Sequence, residues 1–406
     1  MAADTLFRRI TDYASRPDPY PLYAELRESK VAEQDDGSYL VGTYHEITAL
    51  LHDPRVSSDR RNRSDPEEVR LATELAPSFI GLDDPEHDRL RRTTMRPFGP
   101  PHTPGRVDAM QGEIAAIAEE LITAMRDKER VDIVDDFAYP LPVTVICRLL
   151  GVPQEDEPMF RGWSDAIVGG LDLNPDEDPT ARTRAATEAR RSMGVYLGGL
   201  AEKRRGTSSD DLLAAFVNDQ DPGGGLNQIE VMVTSVLLLV AGHETTVNLI
   251  TNGMLTLLRR PDQLDLLRRE PALMPRAVEE LLRFEPPVQM LPQRTPLVDI
   301  EVAGVTVPKG APLVLVLASG SRDPRRFGDP DRFDPRRTDN QHLGFGSGVH
   351  SCFGAPLARL EAQIALTALL RSLEGPRLAE DPPPYRRSPV LRGPRHLLVE
   401  LDGVRV

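Results

Sequence analysis

Cysteine is scarce in this chain of 406 residues: there are two, Cys147 and Cys352, which can form at most one disulfide. A secreted scaffold held together by disulfides is therefore excluded, and the composition fits a reducing compartment. Lysine is also scarce, with four among 49 basic residues, so arginines interleaved with acids carry nearly all the positive charge. A net charge of −14 without a long basic run argues against a nucleic-acid partner.

Long hydrophobic runs are missing as well. The longest nearly apolar run covers residues 231–242, little more than half of the roughly 20 residues that a membrane span needs. The first residues, MAADTLFRRITDYASRPDP, lack the apolar core of a signal peptide. We therefore expect a cytoplasmic protein with no membrane partner.

The apolar residues that are present recur mostly with helical spacing. Steps of three and four residues predict helices over 107–128, 183–204 and 262–269. Residues 229–258 are apolar nearly all round, which predicts a helix that runs through the centre of the core.

Strand patterns are few, and they alternate apolar and polar residues beside turn residues: 38–43, 298–310 and 396–401. The loops predicted at 172–183 and 219–225 are too short to separate domains. We therefore predict a mainly α protein with small β-sheets, folded as a single domain over 1–406, with β-rich parts near 38–60 and 298–320 and a helical core over 105–285.

The stretch FGSGVHSCFG, residues 345–354, places Cys352 in a glycine loop just before a predicted helix. A helix N-terminus stabilises a thiolate, which is either a nucleophile or a metal ligand. His350 could act as a base for a nucleophile, but no orienting partner accompanies it, and no second Cys or His motif suggests zinc. A lone thiolate suffices as the axial ligand of haem iron, and a flat macrocycle explains the glycines. An unreactive loop cysteine is the alternative.

The pattern Phe-x-x-Gly-x-x-x-Cys-x-Gly is met by Phe345, Gly348, Cys352 and Gly354. In this loop the sequence resembles the soluble bacterial branch of the cytochrome P-450 family. The resemblance implies that family's fold, with a long central helix over the cofactor. It also implies haem b bound at a haem-thiolate loop over 345–354, with Cys352 as the iron ligand and Phe345 and Gly346 against the haem.

The predicted central helix contains AGHETT, residues 241–246. A threonine inside a helix can donate to the carbonyl four residues back and bend the helix, so Thr245 is expected to bond Ala241. The resemblance implies that Ala241 contacts the haem, that Thr245 holds dioxygen and its water network, and that Glu244 belongs to the proton relay. A core helix with a tolerated polar turn is the alternative.

Two further groups follow from the resemblance. Glu280 and Arg283 share a helix face, and the resemblance implies that they form a buried structural network with Arg332; a surface ion pair is the alternative. It also implies that four basic residues hold the two haem propionates, and ordinary solvated surface is the alternative. These residues are His87, Arg91, Arg294 and His350.

The resemblance implies a monooxygenase that inserts one oxygen atom of O2 into a C–H bond, or across a C=C bond, of an apolar small molecule. The sequence is similar to tailoring enzymes of secondary metabolism and antibiotic biosynthesis, so a polyketide or terpenoid is the expected substrate class. Segments 60–80 and 165–195 are predicted to form a movable lid. The residues predicted to line the pocket, each of which could equally be core, are Val240, Ala241, Val288, Met290, Leu291, Val390 and Leu391.

Electrons must come from outside, since the sequence has no GxGxxG fingerprint for a flavin or a nicotinamide. We expect ferredoxin and ferredoxin reductase as donors to a monomeric enzyme. The predicted docking arginines, which could equally be ordinary surface, are Arg89, Arg92, Arg96 and Arg359.

Two other functions remain open at this point. A peroxide-driven haem-thiolate peroxygenase would need no redox partner, but Thr245 with Glu244 argues for O2 activation. A haem-binding sensor or carrier would not be an enzyme. A sensor would need an output segment, and we expect no such segment, because no part of the sequence is typical of an output domain.

Overall fold

A computed structural model describes residues 5–98, 105–172, 179–220 and 224–406. In these residues the helices are α1 (Leu6–Thr11), α2 (Tyr20–Ser29), α3 (Tyr44–His52), α4 (Pro66–Thr73), α5 (Glu86–Phe98), α6 (Arg106–Ala109), α7 (Gln111–Ala124), α8 (Pro140–Leu150), α9 (Glu157–Gly169), α10 (Pro179–Lys203), α11 (Leu212–Val217), α12 (Gln228–Leu258), α13 (Pro261–Arg269), α14 (Met274–Phe284), α15 (Leu317–Gly320) and α16 (Ala355–Ser372).

The strands are short, as the sequence predicted. They are β1 (Val31–Glu33), β2 (Tyr39–Val41), β3 (Val56–Ser57), β4 (Arg130–Asp132), β5 (Leu291–Pro296), β6 (Ile300–Val302), β7 (Val305–Val307), β8 (Leu313–Leu315), β9 (Leu373–Glu374), β10 (Arg377–Leu378), β11 (Leu398–Glu400) and β12 (Gly403–Val404). The predicted class, mainly α with small β-sheets, is confirmed.

The central helix α12 is the longest, with 31 residues. It begins where Asn227 and Glu230 cap each other, each backbone N–H donating to the other's side chain. It packs against α8, α10, α14 and α16. Its most apolar stretch is long and apolar enough to cross a membrane by composition alone, but 67% of that stretch is buried inside the protein. The helix is therefore the interior element that its all-round hydrophobicity predicted.

The largest sheet has the strand order β1-β2-β8-β5-β3. Within it β2 and β8 run parallel, with Leu40 opposite Val314, and the other pairs are antiparallel. A second sheet pairs β4 with β11, so that Val131 lies opposite Val399. This pairing joins the beginning of the helical region to the end of the chain.

The sequence misplaced several boundaries. The helix predicted over 107–128 is divided at Met110 into α6 and α7, and α2, α3 and β4 were not predicted. Of the predicted loop 172–183, residues 173–178 lie outside the described part, and α10 already begins at Pro179. In the loop at 219–225, residues 221–223 also lie outside the described part.

Candidate active site

The Cys352 loop is folded back on itself by backbone hydrogen bonds. The N–H of Cys352 donates to the carbonyl of Phe345 at 2.9 Å, and the N–H of Ser351 donates to Gly348 at 3.0 Å. Gly348 has φ +71°, and a Cβ at this position would lie 2.2 Å from the carbonyl oxygen of Leu51 in α3. The loop therefore needs glycine at position 348, both for its conformation and for its close approach to α3.

Aromatic residues hold the two ends of this loop. The ring of Phe345 lies under the guanidinium of Arg359, 4.7 Å from its centroid. At the other end, Phe353 packs against Phe79 and Phe98, with ring centroids 5.7 Å and 5.1 Å away. The loop is thus anchored on both sides of Cys352.

The thiol of Cys352 lies at the N-terminus of α16. Its sulfur accepts from the N–H groups of Gly354 and Ala355, and Arg91 is nearby; each of these lowers the thiol pKa. Cys352 as a residue is exposed, yet protein surrounds the sulfur closely enough that burial raises its pKa overall. The expectation that the helix alone gives a thiolate is therefore wrong for the protein by itself. Coordination to a metal deprotonates a thiol outright.

A stripe of α12 stays accessible in the middle of this otherwise buried helix. Leu237, Ala241 and Thr245 follow one another at four-residue steps on one face; Ala241 is exposed and the other two are partly exposed. The Thr245 hydroxyl donates to the carbonyl of Ala241 at 2.8 Å, which confirms the predicted hydrogen bond. The small residue and the hydroxyl thus border an internal opening.

Two neighbours of this stripe on α12 contact other parts of the protein. A Cβ at Gly242 would meet Ile146 of α8 at 3.1 Å, so this glycine serves helix packing. Glu244 is 1% exposed, and its carboxylate forms an ion pair with Arg386, with Nη1 to Oε1 at 2.7 Å. Arg386 was not predicted, because nothing in the sequence spacing connects it to α12.

Four basic residues from three regions, two of them on α5, meet beside the Cys352 loop. The rings of His87 and His350 lie 4.2 Å apart, and Arg91 Nη2 donates to the carbonyl of Ser351 at 2.6 Å. Burial, together with Arg294, His87 and Arg91, lowers the pKa of His350 to about 3. Burial likewise lowers the pKa of Arg294 to about 10.

The acids around this basic cluster do not satisfy all of its basic groups, although Asp84 Oδ1 lies 3.2 Å from His87 Nδ1. The buried Nε2 of His87 and Nδ1 of His350 have no hydrogen-bond partner among the described residues. Arg294 donates to the carbonyl of Gln293, and Asp83 is the one acid that raises its pKa. Buried imidazole nitrogens without a partner, and a buried guanidinium that donates to the carbonyl of the preceding residue, favour an anionic ligand. The two carboxylates at the edge of a haem would fit this cluster, with the Cys352 loop against one face of the haem and the exposed stripe of α12 toward the other.

The Glu280 carboxylate, itself fully buried, is the centre of a hydrogen-bonded network. It accepts from Arg283 at 2.7 Å and 2.8 Å, from the N–H of Asp334 at 3.0 Å and from Arg337 Nε at 3.2 Å. The prediction that Arg332 completes the network is wrong. Its side chain is exposed, and only its carbonyl accepts from Arg283, at 3.2 Å. Arg337, five residues further on, takes the predicted role.

The residues predicted to line the substrate pocket divide into two groups. Val240, Ala241, Val288 and Leu291 keep exposed surface. Three others are buried in one apolar cluster, so for them the interpretation as core is right: Met290, Val390 and Leu391.

The sequence matches the family model described as Cytochrome P450 over residues 40–400. It is 42% identical over 394 residues to the cytochrome P450 monooxygenase PikC of Streptomyces venezuelae, which covers 94% of this chain and 90% of that protein. It is 38% identical over 407 residues to 6-deoxyerythronolide B hydroxylase of Saccharopolyspora erythraea, with 95% and 96% covered.

Solved structures agree with the sequence relatives. Ligand-free CYP164A2 of Mycobacterium smegmatis matches with a TM-score of 0.87 at 37% identity, over 98% of this chain and 100% of that one. The chain therefore belongs to the cytochrome P450 family and is a bacterial monooxygenase whose haem is held by a cysteine thiolate.

Proposed function

We propose that Cys352 is the iron ligand of this monooxygenase and that its substrate is an apolar secondary metabolite, such as a polyketide or terpenoid, which it hydroxylates or epoxidises. The observation that carries the proposal is the basic cluster beside the Cys352 loop, whose buried His87 Nε2 and His350 Nδ1 have no hydrogen-bond partner among the described residues, together with the accessible stripe of α12. The names of PikC and of 6-deoxyerythronolide B hydroxylase support oxygenation of natural products. The pairing of β4 with β11 supports a single domain over 1–406.

Bound haem would supply the activation and cleavage of dioxygen, with one oxygen atom going to the substrate and the other to water. The propionates would be bound by His87, Arg91, Arg294 and His350. Phe345 and Gly346 would lie against the macrocycle on the thiolate side, and Ala241 would leave room on the other side.

Thr245 is the proposed site of proton transfer. Its hydroxyl donates to Ala241 at 2.8 Å, which leaves its oxygen lone pairs to accept from water or from a bound oxygen species. The Glu244 carboxylate is turned toward Arg386, so it would have to leave that ion pair to pass a proton toward Thr245.

Thr245→Ala tests this role, with Thr246→Ala as the matched control. Thr246 makes the same type of bond, to Gly242 at 3.1 Å, but is 2% exposed and does not belong to the accessible stripe. We expect Thr245→Ala to keep the thiolate spectrum of the reduced carbon-monoxide complex while releasing hydrogen peroxide instead of product. Tight coupling in Thr245→Ala, or equal leakage in Thr246→Ala, would contradict the role.

Ferredoxin is the proposed electron donor, and the proposed docking surface lies on the thiolate side. Each predicted arginine has an acidic partner: Arg89 with Glu230, Arg92 with Asp88, Arg96 with Asp219 and Arg359 with Glu279. The pair between Arg92 and Asp88 is exposed on both sides and therefore weak, so an acidic partner could compete for Arg92. Arg96 is only 21% exposed.

Charge reversal tests the docking surface. Arg92 has the most exposed side chain of the four arginines, at 69%. We expect Arg92→Glu to slow reduction by ferredoxin and to flatten the salt dependence of the rate. Arg405→Glu is the control, since that arginine is also 70% exposed and paired with an acid, in the C-terminal strands. An unchanged salt dependence in Arg92→Glu, tested singly and with Arg96→Glu, would refute the surface.

The proposed lid consists of segments 60–80 and 165–195. Their described parts contain α4, the end of α9 and the first part of α10, while residues 173–178 lie outside the described part. We propose that the enzyme is a cytoplasmic monomer. Size-exclusion chromatography with light scattering checks the monomer, and a dimer would contradict it.

A further inference from the structure

An arginine occupies the inward face of the lid helix α10. Ala186, Met193 and Leu197 of this helix are 0% exposed. Arg190 is four residues after Ala186, three before Met193 and seven before Leu197, so at 3.6 residues per turn it lies in the middle of the same face. A position that would otherwise carry an apolar residue thus carries a guanidinium.

The packing of α10 on α12 shows what this face approaches. A Cβ on Gly198 would lie 2.7 Å from Met232, and one on Gly194 would lie 3.7 Å from Val236. The two helices therefore run antiparallel, and continuing this register by one turn toward the start of α10 pairs Arg190 with Val240. Since Val240 adjoins Ala241, this register directs the face that carries Arg190 toward the proposed substrate site.

The charge of Arg190 is not matched by an acid. Within the part of the chain that the structure describes, its side chain has no hydrogen bond and no ion pair. Burial lowers the pKa of Arg190, and the neighbouring guanidinium of Arg60, from the other lid segment, lowers it further. The next residue, Arg191, is both exposed and paired with an acid. Its side chain is 57% exposed, and its Nη1 lies 3.3 Å from Oε2 of Glu188.

A guanidinium that is largely withdrawn from water and has no acidic partner among the described residues is unfavourable unless an anion compensates for it. We infer that the substrate carries a carboxylate and that Arg190 binds it, while the apolar body of the substrate lies along Val240 and Ala241. A guanidinium binds a carboxylate through two parallel N–H···O bonds, which fixes orientation as well as charge. This inference rests on the proposed function and narrows its substrate class to apolar acids.

Two matched probes test the inference on the haem-loaded full chain: dodecanoate, and 1-dodecanol as its uncharged counterpart. Binding is measured by isothermal titration calorimetry and by the Soret difference spectrum. We expect dodecanoate to bind at least about tenfold more tightly than dodecanol, the lower end of what a hydrogen bond to a charged group supplies. Arg190→Gln should abolish this preference, Arg190→Lys should keep part of it, and Arg191→Gln should leave it intact.

Equal affinity of the wild-type protein for the two probes would overturn the inference, because the site would then accept neutral molecules equally well. So would a loss in Arg190→Gln that is the same for both probes, since that indicates a structural role. If Arg190→Gln does not fold, the wild-type comparison and Arg190→Lys still decide. The reduced carbon-monoxide spectrum of the same samples separates the two proposals: a thiolate band without a carboxylate preference refutes only the inference about Arg190.

Discussion

Replacing Glu280 by glutamine tests the network around this buried carboxylate, and we expect a large loss in the free energy of unfolding. Glu280 and Arg283 are both 0% exposed, with Nε to Oε2 at 2.7 Å. The substitution keeps the shape of the side chain but removes the negative charge, which leaves the Arg283 guanidinium buried without a counter-ion. The other donors to Glu280, Arg337 and Asn340, lose a charged acceptor as well.

Breaking a buried ion pair from one side costs about 3–5 kcal/mol. The free energy of unfolding of a domain is about 5–15 kcal/mol, so Glu280→Gln should remove a large part of it. Arg337→Ala should cost about 1.5–3 kcal/mol, the range for a hydrogen bond to a charged group. Arg332→Ala should cost less than about 0.5 kcal/mol, because that side chain is exposed.

Urea unfolding measures these differences, followed by circular dichroism and by the fluorescence of the single tryptophan, Trp163. All variants are compared at equal haem content. The predicted order of destabilisation is Glu280→Gln, then Arg337→Ala, then Arg332→Ala. If Arg332→Ala unfolded as readily as Arg337→Ala, the assignment of Arg337 to the network would be wrong.

Two further predictions concern the haem site. Gly348→Ala should destabilise the Cys352 loop by about 1–3 kcal/mol, because the new Cβ would meet Leu51 O at 2.2 Å; Gly346→Ala, with φ +66° but open space around the Cβ, should cost less. Equal losses of haem on heating would contradict this difference. Arg294→Gln should speed haem transfer to apomyoglobin by roughly tenfold, as expected for one charge-assisted hydrogen bond; Arg405→Gln is the exposed control, and a similar rate in both would argue against a propionate contact.

The sequence predicted those parts of the site that rest on local spacing. The glycine loop around Cys352, the long apolar helix α12 and the Thr245 hydrogen bond each depend on residues that are close in the chain, so spacing and helical geometry were enough to find them. The basic cluster joins three distant regions, and only the family resemblance brought those residues together in advance.

The parts that failed depend on which side chains meet in three dimensions. Arg332 and Arg337 lie five residues apart in one irregular segment, and spacing cannot decide which guanidinium turns toward Glu280. Arg386 presents the same difficulty, because its partner, Glu244, is set by packing. Arg190 did leave a signal: within the predicted helix 183–204, it occupies an apolar position of the periodic pattern.

The spectrum of the reduced carbon-monoxide complex tests most directly whether the Cys352 sulfur binds the iron, since a thiolate opposite carbon monoxide shifts the Soret band to the red. We predict the shifted band in the wild-type protein and in Cys147→Ser, whose cysteine is buried in α8, and its loss in Cys352→Ser. A shifted band that persists in Cys352→Ser, or one that is absent from the haem-loaded wild-type protein, would contradict the assignment.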